Sequence, residues 1–312
     1  MHESIKRVRV NMEAAAKRAG RDVSEITLIC VSKTKPREQI LEAYAAGERH
    51  FGESYATEAA AKIESLKDSG LDGVVWHFIG PIQKNKTKII ASYFDVVESV
   101  DRQIIAQRLD AQRPPHLPPL DILLQVNISG EAQKSGCSPE ALPALVDYVK
   151  TCPRLRLRGL MGIAREGAPE EEILTSFTRL RQLFERLHEE CGTDILSMGM
   201  SGDLESAVKA GATEVRIGTD IFGAREKKQP AETAALAELA QKDKAPRLTL
   251  TQGFIGGGNM ARAIFAGLLP LSRAALFTVS TPHPEKLSFF REAGAGITSD
   301  NRTAAAAQVP VV

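Results

Sequence analysis

Short apolar runs alternate with amphipathic helical patterns from residue 26 to about residue 225, and this alternation constrains the fold more than any other feature of the chain. Alternating strand and helix patterns are typical of βα units, whose strands lie side by side in a parallel sheet. The predicted strands span residues 26–32, 49–52, 74–79, 94–98, 121–127, 156–161, 194–197 and 213–217. Eight such units close a barrel, so we predict an α/β fold, a (β/α)8 TIM barrel with one additional N-terminal helix.

The segments between the predicted strands have the spacing of amphipathic helices. We predict helices over residues 37–46, 54–68, 101–112, 139–150, 171–190 and 202–210. Capping residues precede several of them, such as Ser138 before Pro139, because a side-chain oxygen can accept a hydrogen bond from a free amide of the first turn.

The composition favours a small-molecule partner. The chain has 312 residues, of which 43% are hydrophobic, and 40 basic side chains against 39 acidic ones give a formal net charge of +1. No block of one sign marks a surface for nucleic acid or for an anionic membrane. The first 18 residues form a charged helical pattern without the apolar core of a signal peptide, so we expect a cytoplasmic protein.

The four cysteines favour a reducing compartment. They lie at positions 30, 137, 152 and 191 without Cys-x-x-Cys spacing. This pattern predicts neither a zinc site nor a disulfide framework, and the sequence indicates no other metal site.

Lys33 is the strongest candidate for chemistry, because it lies where the first predicted strand ends. An amine at the carboxyl end of a barrel strand is placed to attack a carbonyl group and form an imine. The alternative is an ordinary solvated lysine, which is the interpretation for Lys35, just before Pro36.

The ends of strands seven and eight carry the features of a phosphate site. Ser201 is predicted as the N-cap of the helix after strand seven, and Gly218-Thr219 follow strand eight. Small residues before a helix leave amides open to an anion, and barrels often hold phosphate at these two strand ends. Each feature alone also fits a plain cap or turn. Arg216, on the last strand, either donates to a ring nitrogen or phosphate or pairs with a carboxylate.

An amine at the end of strand one that faces a phosphate nest on the far wall, at strands seven and eight, predicts a site for pyridoxal 5′-phosphate (PLP). An aldolase-type barrel with a substrate imine is the alternative, but the sequence shows no acid–base constellation around Lys33 to support it.

Ordered motifs along residues 1–228 resemble the pyridoxal phosphate homeostasis protein family (YggS/PROSC type). The matching segments are Val31-Ser32-Lys33-Thr34-Lys35-Pro36, Phe51-Gly52-Glu53, Trp76-His77-Phe78-Ile79-Gly80 with Gln83 and Asn85-Lys86, Val126-Asn127 with Lys134-Ser135-Gly136, Arg158-Gly159-Leu160-Met161, Leu196-Ser197-Met198-Gly199-Met200-Ser201 and Arg216-Ile217-Gly218-Thr219. The resemblance implies an alanine-racemase-like barrel with PLP as an imine on Lys33 and phosphate contacts from Ser201, Gly218 and Thr219. It also implies a protein without established catalytic turnover that buffers or delivers PLP, with PLP-dependent apoenzymes as possible recipients.

Two positions depart from the family pattern. Ser54 follows Phe-Gly-Glu where the family usually has asparagine, and Asp220 follows Gly218-Thr219 where alanine is common. We expect Asp220 to weaken cofactor binding, because it adds a negative charge near the proposed phosphate.

A PLP-dependent racemase or lyase is the competing function. Inversion needs a second proton carrier facing Lys33. The chain has four tyrosines, all before residue 150, and no all-β tail that could bring one to the site. His77 is predicted to be a satisfied core residue rather than a catalytic group.

The chain changes character after Arg225. Residues 229–246 are predicted to be a linker, and residues 247–312 an incomplete Rossmann-like βαβ fragment. A strand pattern runs into Gly256-Gly257-Gly258-Asn259-Met260-Ala261, so Gly256, Gly258, Asn259 and Met260 are candidate dinucleotide contacts. No acid follows the second strand, which favours NADP over NAD.

This segment also resembles the N-terminus of pyrroline-5-carboxylate reductase, on Gly253-Phe254-Ile255-Gly256 and Asn259-Met260. The sequence ends where we expect a third strand to begin. We therefore predict an incomplete reductase part without activity, with a bifunctional fusion as the alternative.

Overall fold

The computed structural model describes residues 1–131 and 135–224, together with four short strands beyond residue 250. The chain divides into two compact units, Met1–Arg225 and Glu226–Val312. The predicted linker, residues 229–246, lies outside the described residues.

The first unit is a closed barrel of eight parallel strands in sequence order. The strands are Thr27–Val31 (β1), His50–Glu53 (β2), Val75–Phe78 (β3), Val96–Val100 (β4), Leu120–Val126 (β5), Leu155–Gly162 (β6), Ile195–Ser197 (β7) and Glu214–Ile217 (β8). β1 closes the barrel by pairing with β2 on one side and β8 on the other. The predicted (β/α)8 barrel is therefore confirmed.

Helices surround the barrel and precede it. They are His2–Arg18 (α1), Arg37–Ala45 (α2), Ala56–Leu66 (α3), Thr87–Tyr93 (α4), Gln103–Gln112 (α5), Leu142–Lys150 (α6), Glu170–Cys191 (α7), Leu204–Lys209 (α8) and Thr219–Phe222 (α9). None of the helices in the part of the chain that the structure describes is long and apolar enough to cross a membrane.

Two predicted helix starts are wrong. α6 begins at Leu142 instead of residue 139, and Ser138 only accepts a hydrogen bond from the Ala141 amide at 3.3 Å. Pro143 fits the first turn of this later start because it has no amide hydrogen to satisfy. α8 begins at Leu204 with Asp203 as its N-cap, so Ser201 is not the cap residue.

The barrel core explains why the strand patterns are nearly continuous. All seven residues of β5 are buried, because helices cover its outer face and side chains from the other strands fill the inside. Where β6 pairs with β7 there is no room for a side chain at Gly159, since a Cβ there would lie 1.7 Å from the carbonyl oxygen of Ile195.

The second unit contains a four-stranded parallel sheet in the order β11-β10-β9-β12. Its strands are Gln252–Ile255 (β9), Phe277–Ser280 (β10), Gly296–Thr298 (β11) and Val309–Val311 (β12). In chain order this is 3-2-1-4, the order of the first strands of a dinucleotide-binding sheet. The prediction did not include β11, and the strand expected to begin at the end of the sequence is the fourth strand, β12, which pairs with β9. The predicted contacts Gly256, Gly258, Asn259 and Met260 lie outside the described residues.

Candidate functional site

Lys33 lies in a tight turn directly after β1, and its side chain is half-buried. The amide of Ser32 continues the pairing with β2 by donating to the Gly52 carbonyl, and the Lys35 amide donates back to the Ser32 carbonyl. Thr34 has a φ of +64°, a left-handed conformation that is unusual for a β-branched residue. Such backbone strain persists only where surrounding contacts hold it.

A buried ion pair behind the sheet supplies those contacts. The Lys62 ammonium on α3 donates to Glu53 Oε1 at 2.7 Å and to the Ser32 carbonyl at 2.9 Å, and the Ser32 hydroxyl donates to the same Glu53 oxygen. Glu58 accepts from the Thr34 amide at 2.7 Å. Burial raises the pKa of Glu53, and the nearby Lys62 charge opposes that shift. The residues on both sides of Lys33 are thus fixed.

Lys35 is held by two backbone carbonyls. Its ammonium donates to the carbonyl oxygens of Phe222 at 2.9 Å and of Ala224 at 3.0 Å, at the end of α9. A cation suits the carbonyl end of a helix. Lys35 therefore ties the turn after β1 to the segment after β8.

Gly218 and Thr219 lie beside the end of β1. The register pairs Cys30 with Ile217, so the next residues along each strand meet at the same barrel edge. A Cβ on Gly218 would lie 3.3 Å from the Val31 carbonyl oxygen, which is tighter than ordinary contact. Thr219 is exposed and opens α9. The structure thus brings Gly218 and Thr219 to the strand end that carries Lys33.

Ser201 lies in the loop between β7 and α8 and is exposed. The loop is shaped by the Asp203 carboxylate, which accepts a hydrogen bond from the Met200 amide, and by Gly199, whose carbonyl accepts from the Arg216 amide at 3.0 Å. Burial raises the pKa of Asp203. Ser201 is therefore a loop hydroxyl at the carboxyl end of β7.

Arg216 is buried inside the barrel and already has partners. Its guanidinium donates to Ser197 Oγ at 2.6 Å and to the Gly162 carbonyl at 2.9 Å. It also lies 3.8 Å from Glu98 Oε2. Of the two predicted roles, the structure shows pairing with a carboxylate. Because Ser197 and Gly162 end β7 and β6, the guanidinium lies level with the floor of the barrel mouth.

A polar network continues from Arg216 through the barrel interior. Ser197 Oγ also donates to Glu98 Oε2, and Glu98 Oε1 lies 2.9 Å from His77 Nδ1. His77 Nε2 lies 2.9 Å from His50 Nδ1. His77 is thus a satisfied core residue, as predicted. Glu98 was not singled out from the sequence. The available signal is that Glu98 is a charged residue in an otherwise apolar strand pattern.

The charges in this network depend on one another. Burial alone would raise the pKa of Glu98, but the hydrogen bond and charge of His77 bring it below its ordinary value. Burial would lower the pKa of His77, but the hydrogen bond to Glu98 and the negative charges of Glu214, Glu98 and Asp95 together raise it above its ordinary value. Burial lowers the pKa of His50 to about 4 and raises the pKa of Glu214 to about 7.

A cavity of about 680 Å³ opens at the carboxyl ends of β3, β5, β6 and β7. Met200 and Gly202, which flank Ser201, line it, as do Asn127, Ser129 and Arg165. Lys33, Gly218 and Thr219 are not among its lining residues. The lysine end of the site and the cavity therefore lie on different parts of the barrel mouth, with the Ser201 loop at the edge of the cavity.

The closed barrel, with a lysine after its first strand and small residues after its eighth, defines a barrel of the alanine-racemase N-terminal type. Residues 4–226 match the family described as alanine racemase, N-terminal domain. This match confirms the predicted fold class.

The relatives narrow the class to one family. The pyridoxal phosphate homeostasis protein of Pseudomonas aeruginosa is 55% identical over 229 residues, covering 73% of this chain and 97% of the relative. That of Escherichia coli K12 is 49% identical, covering 72% and 96%. The chain belongs to the pyridoxal phosphate homeostasis protein family.

A solved structure supports the same assignment. PipY of Synechococcus elongatus, solved with PLP bound, is 35% identical with a TM-score of 0.59, covering 68% of this chain and 99% of PipY. Residues 251–312 match a second family, described as NADP oxidoreductase, coenzyme F420-dependent. This agrees with the predicted dinucleotide-type fragment.

Proposed function

We propose that the barrel binds PLP as an imine on Lys33 and serves PLP homeostasis inside the cell, without catalytic turnover. The observation that carries the proposal is the turn after β1, whose half-buried lysine follows a strand paired with β8, the strand that Gly218 and Thr219 follow. PLP supplies an aldehyde for the amine and a phosphate for the opposite end of the site. The PLP complex of PipY, a 35% identical relative, supports the same ligand.

The choice of Lys33 over Lys35 follows from their contacts. Two backbone carbonyls accept hydrogen bonds from the Lys35 ammonium, so imine formation on Lys35 would break both of them. An amine must be neutral to attack an aldehyde. Lys33 lies at the end of the first strand, in a turn whose neighbouring residues Ser32 and Thr34 are held by Lys62 and Glu58.

The phosphate is best placed against the loops after β7 and β8. Ser201 and Thr219 expose their hydroxyls there, and Gly218 lets the backbone approach closely. In TIM barrels these two loops are the usual phosphate site. Arg216 belongs to the floor of this site through Ser197 and Gly162 rather than to the phosphate itself.

The positions of the tyrosines support binding over racemisation. Tyr44, Tyr93 and Tyr148 lie on helices outside the barrel, and Tyr55, half exposed, precedes α3. None of these four is placed on a strand inside the barrel, where a second proton carrier could face Lys33 from within.

The test is the absorbance of the purified chain with PLP in the imine region, before and after borohydride. We expect an imine band in the wild type that disappears in Lys33→Ala and persists in the matched control Lys35→Ala. Loss of the band only in Lys35→Ala would move the imine to Lys35. Turnover assays on alanine and serine then distinguish a carrier from an enzyme, and conversion of either amino acid would contradict the proposal.

Delivery of PLP to apoenzymes in the cytoplasm is the physiological role we infer. The small net charge and the small-molecule site favour this role over contact with nucleic acid or membrane. The test is whether the PLP-loaded protein reactivates a PLP-dependent apoenzyme faster than PLP dissociates from the loaded protein into solution.

NADP binding by the second unit is a second candidate, favoured by the 3-2-1-4 order of its strands. The glycine-rich segment with Gly256 and Gly258 directly follows β9, the position of the pyrophosphate loop in dinucleotide-binding sheets. Titration with NADPH followed by its fluorescence tests this, and pyrroline-5-carboxylate reduction tests for a bifunctional protein. We expect no reductase activity.

A further inference from the structure

Three side chains far apart in sequence meet inside the barrel, away from the lysine. His77 on β3, Glu98 on β4 and Glu214 on β8 are all buried, and one potential ligand atom from each lies within 4.8 Å of the others. We propose that these three residues form a site for a divalent cation, with Zn²⁺ as the ion that their chemistry favours.

Glu214 provides the observation that points to a ligand. Its Oε2 atom is buried and has no hydrogen-bond partner among the residues that the structure describes, and the residue as a whole is 5% exposed. An unsatisfied carboxylate oxygen is costly in a barrel interior, because it has lost its water and gained nothing in return. A cation among the three ligands would satisfy that oxygen.

The contact between His77 and Glu98 already has nearly the spacing of two metal ligands. His77 Nδ1 and Glu98 Oε1 are 2.9 Å apart. Two tetrahedral ligands at about 2.0–2.1 Å from a zinc ion lie roughly 3.3 Å from each other. The ion would therefore replace the hydrogen between these two atoms with a shift of a few tenths of an ångström.

His50 is placed to orient the His77 ring. Its Nδ1 lies 2.9 Å from His77 Nε2, the nitrogen that would face away from the ion. Ligating histidines usually donate their second ring N–H to such a partner, which fixes the tautomer and the ring orientation. His50 begins β2 and is half-buried, so it connects the cluster to the amino-terminal end of the barrel.

Arg216 does not occupy the place of the ion. Its guanidinium is 3.8 Å from Glu98 Oε2, the oxygen that also accepts from Ser197, whereas Oε1 faces His77. Glu98 and Glu214 supply two negative charges, and Glu98 shares its charge with Arg216, so Glu214 is the carboxylate left to the ion. One imidazole nitrogen and two carboxylates favour Zn²⁺ over Mg²⁺ or Ca²⁺, which prefer ligand sets made of oxygen alone.

The test is zinc binding by the full chain after treatment with a chelator. Thermal unfolding is followed by the fluorescence of Trp76, the single tryptophan, which precedes His77 on β3. With ZnCl₂ in excess we expect one zinc per chain and a rise in Tm of several degrees, while MgCl₂ gives none. Glu214→Gln should bind zinc at least tenfold more weakly. Glu48→Gln is the matched control, because it removes another buried carboxylate, the partner of Arg9, and should keep the zinc shift.

A second measurement decides the matter if Glu214→Gln fails to fold. Co²⁺ added to the wild type should give visible bands of a nitrogen and oxygen ligand set. Absence of those bands, or thiolate bands from the free cysteines, would overturn the proposal. So would equal zinc affinity in wild type and Glu214→Gln, which would leave a trapped water or a shared proton as the partner of Glu214.

Discussion

Replacement of Lys62 by methionine should destabilise the barrel strongly, because it leaves the Glu53 carboxylate buried without its cation. The side chains of Lys62 and Glu53 are 6% and 0% exposed, and their charged atoms are 2.7 Å apart. Removing one partner of such a buried pair costs about 3–5 kcal/mol. In a unit of this size roughly 2–4 °C of Tm correspond to 1 kcal/mol, so we expect a loss of about 6–20 °C.

The assays are thermal unfolding for the Tm and urea unfolding for the free energy, both followed by Trp76 fluorescence, since the one tryptophan of the chain lies in the barrel. Lys67→Met is the matched control, because Lys67 forms an equally short pair with Glu64 on the surface. Solvent screens that pair, and its loss should have little measurable effect. The double variant Glu53→Gln/Lys62→Met should recover most of the lost stability, because it contains no unpaired buried charge.

The pH dependence of the same variant gives a further check. Burial already raises the pKa of Glu53 in the folded protein, and removal of Lys62 takes away a contribution that lowers it. A carboxyl with a raised folded pKa destabilises the fold above that pKa and is relieved as the pH falls through it. The difference in free energy of unfolding between wild type and Lys62→Met should therefore become smaller at acid pH. A cost of Lys62→Met below about 1 kcal/mol at neutral pH would refute the reasoning.

Three further predictions follow from single contacts. Asp220→Ala should tighten PLP binding roughly two- to fivefold by absorbance titration, since a carboxylate near a phosphate costs about 0.5–1 kcal/mol in partly solvated surroundings; equal affinity would exclude that repulsion. Arg158 lowers the pKa of Asp194 below its ordinary value of 3.8. The Arg158–Asp194 pair therefore stabilises the fold at a pH above that ordinary value, and the stabilisation is lost as the pH falls further. Wild type should thus exceed Asp194→Asn in Tm at neutral pH and equal it near pH 2, whereas a constant gap would contradict the assignment. Gly159→Ala should prevent β6 from pairing with β7, because the new Cβ would clash with the Ile195 carbonyl oxygen. A far-UV circular dichroism spectrum and a Tm like those of wild type would contradict this prediction, because they would show that the strands can move apart.

The sequence predicts the barrel well because its strands are local apolar runs and its helices have regular spacing. β5 is an example, since all seven of its residues are buried and all but Asp121 and Gln125 are apolar. Helix starts were less predictable. Asp203, not Ser201, is the N-cap residue of α8, and its side chain accepts from the Met200 amide of the preceding loop rather than from the helix. This loop conformation leaves no signal in the sequence pattern.

The site was predictable where residues follow strands, and not where they meet across the barrel. The sequence locates Lys33, Gly218 and Thr219 at the ends of strands one and eight, and the pairing of β1 with β8 makes these two strand ends neighbours rather than opposite walls. For Arg216 the sequence allows either a ligand contact or pairing with a carboxylate, and the fold shows that Ser197 and Glu98 hold its guanidinium.

Lys62 and Glu214 were not predicted at all. The i,i+4 spacing of Glu58 and Lys62 suggests a solvated pair on α3, and nothing local shows that the ammonium turns inward to Glu53. Glu214 begins a strand, where a charged residue usually faces water. Its burial depends on side chains that β3 and β4 contribute from elsewhere in the sequence.

The most direct test of the account is to locate the imine chemically. The full chain is incubated with PLP, reduced with borohydride and digested, and the peptides are mapped by mass spectrometry. We predict the reduced pyridoxyl phosphate mass on Lys33 and an unmodified Lys35. Stable modification of Lys35 or of surface lysines alone, with Lys33 unmodified, would contradict the central claim that the turn after β1 presents the amine that binds the cofactor.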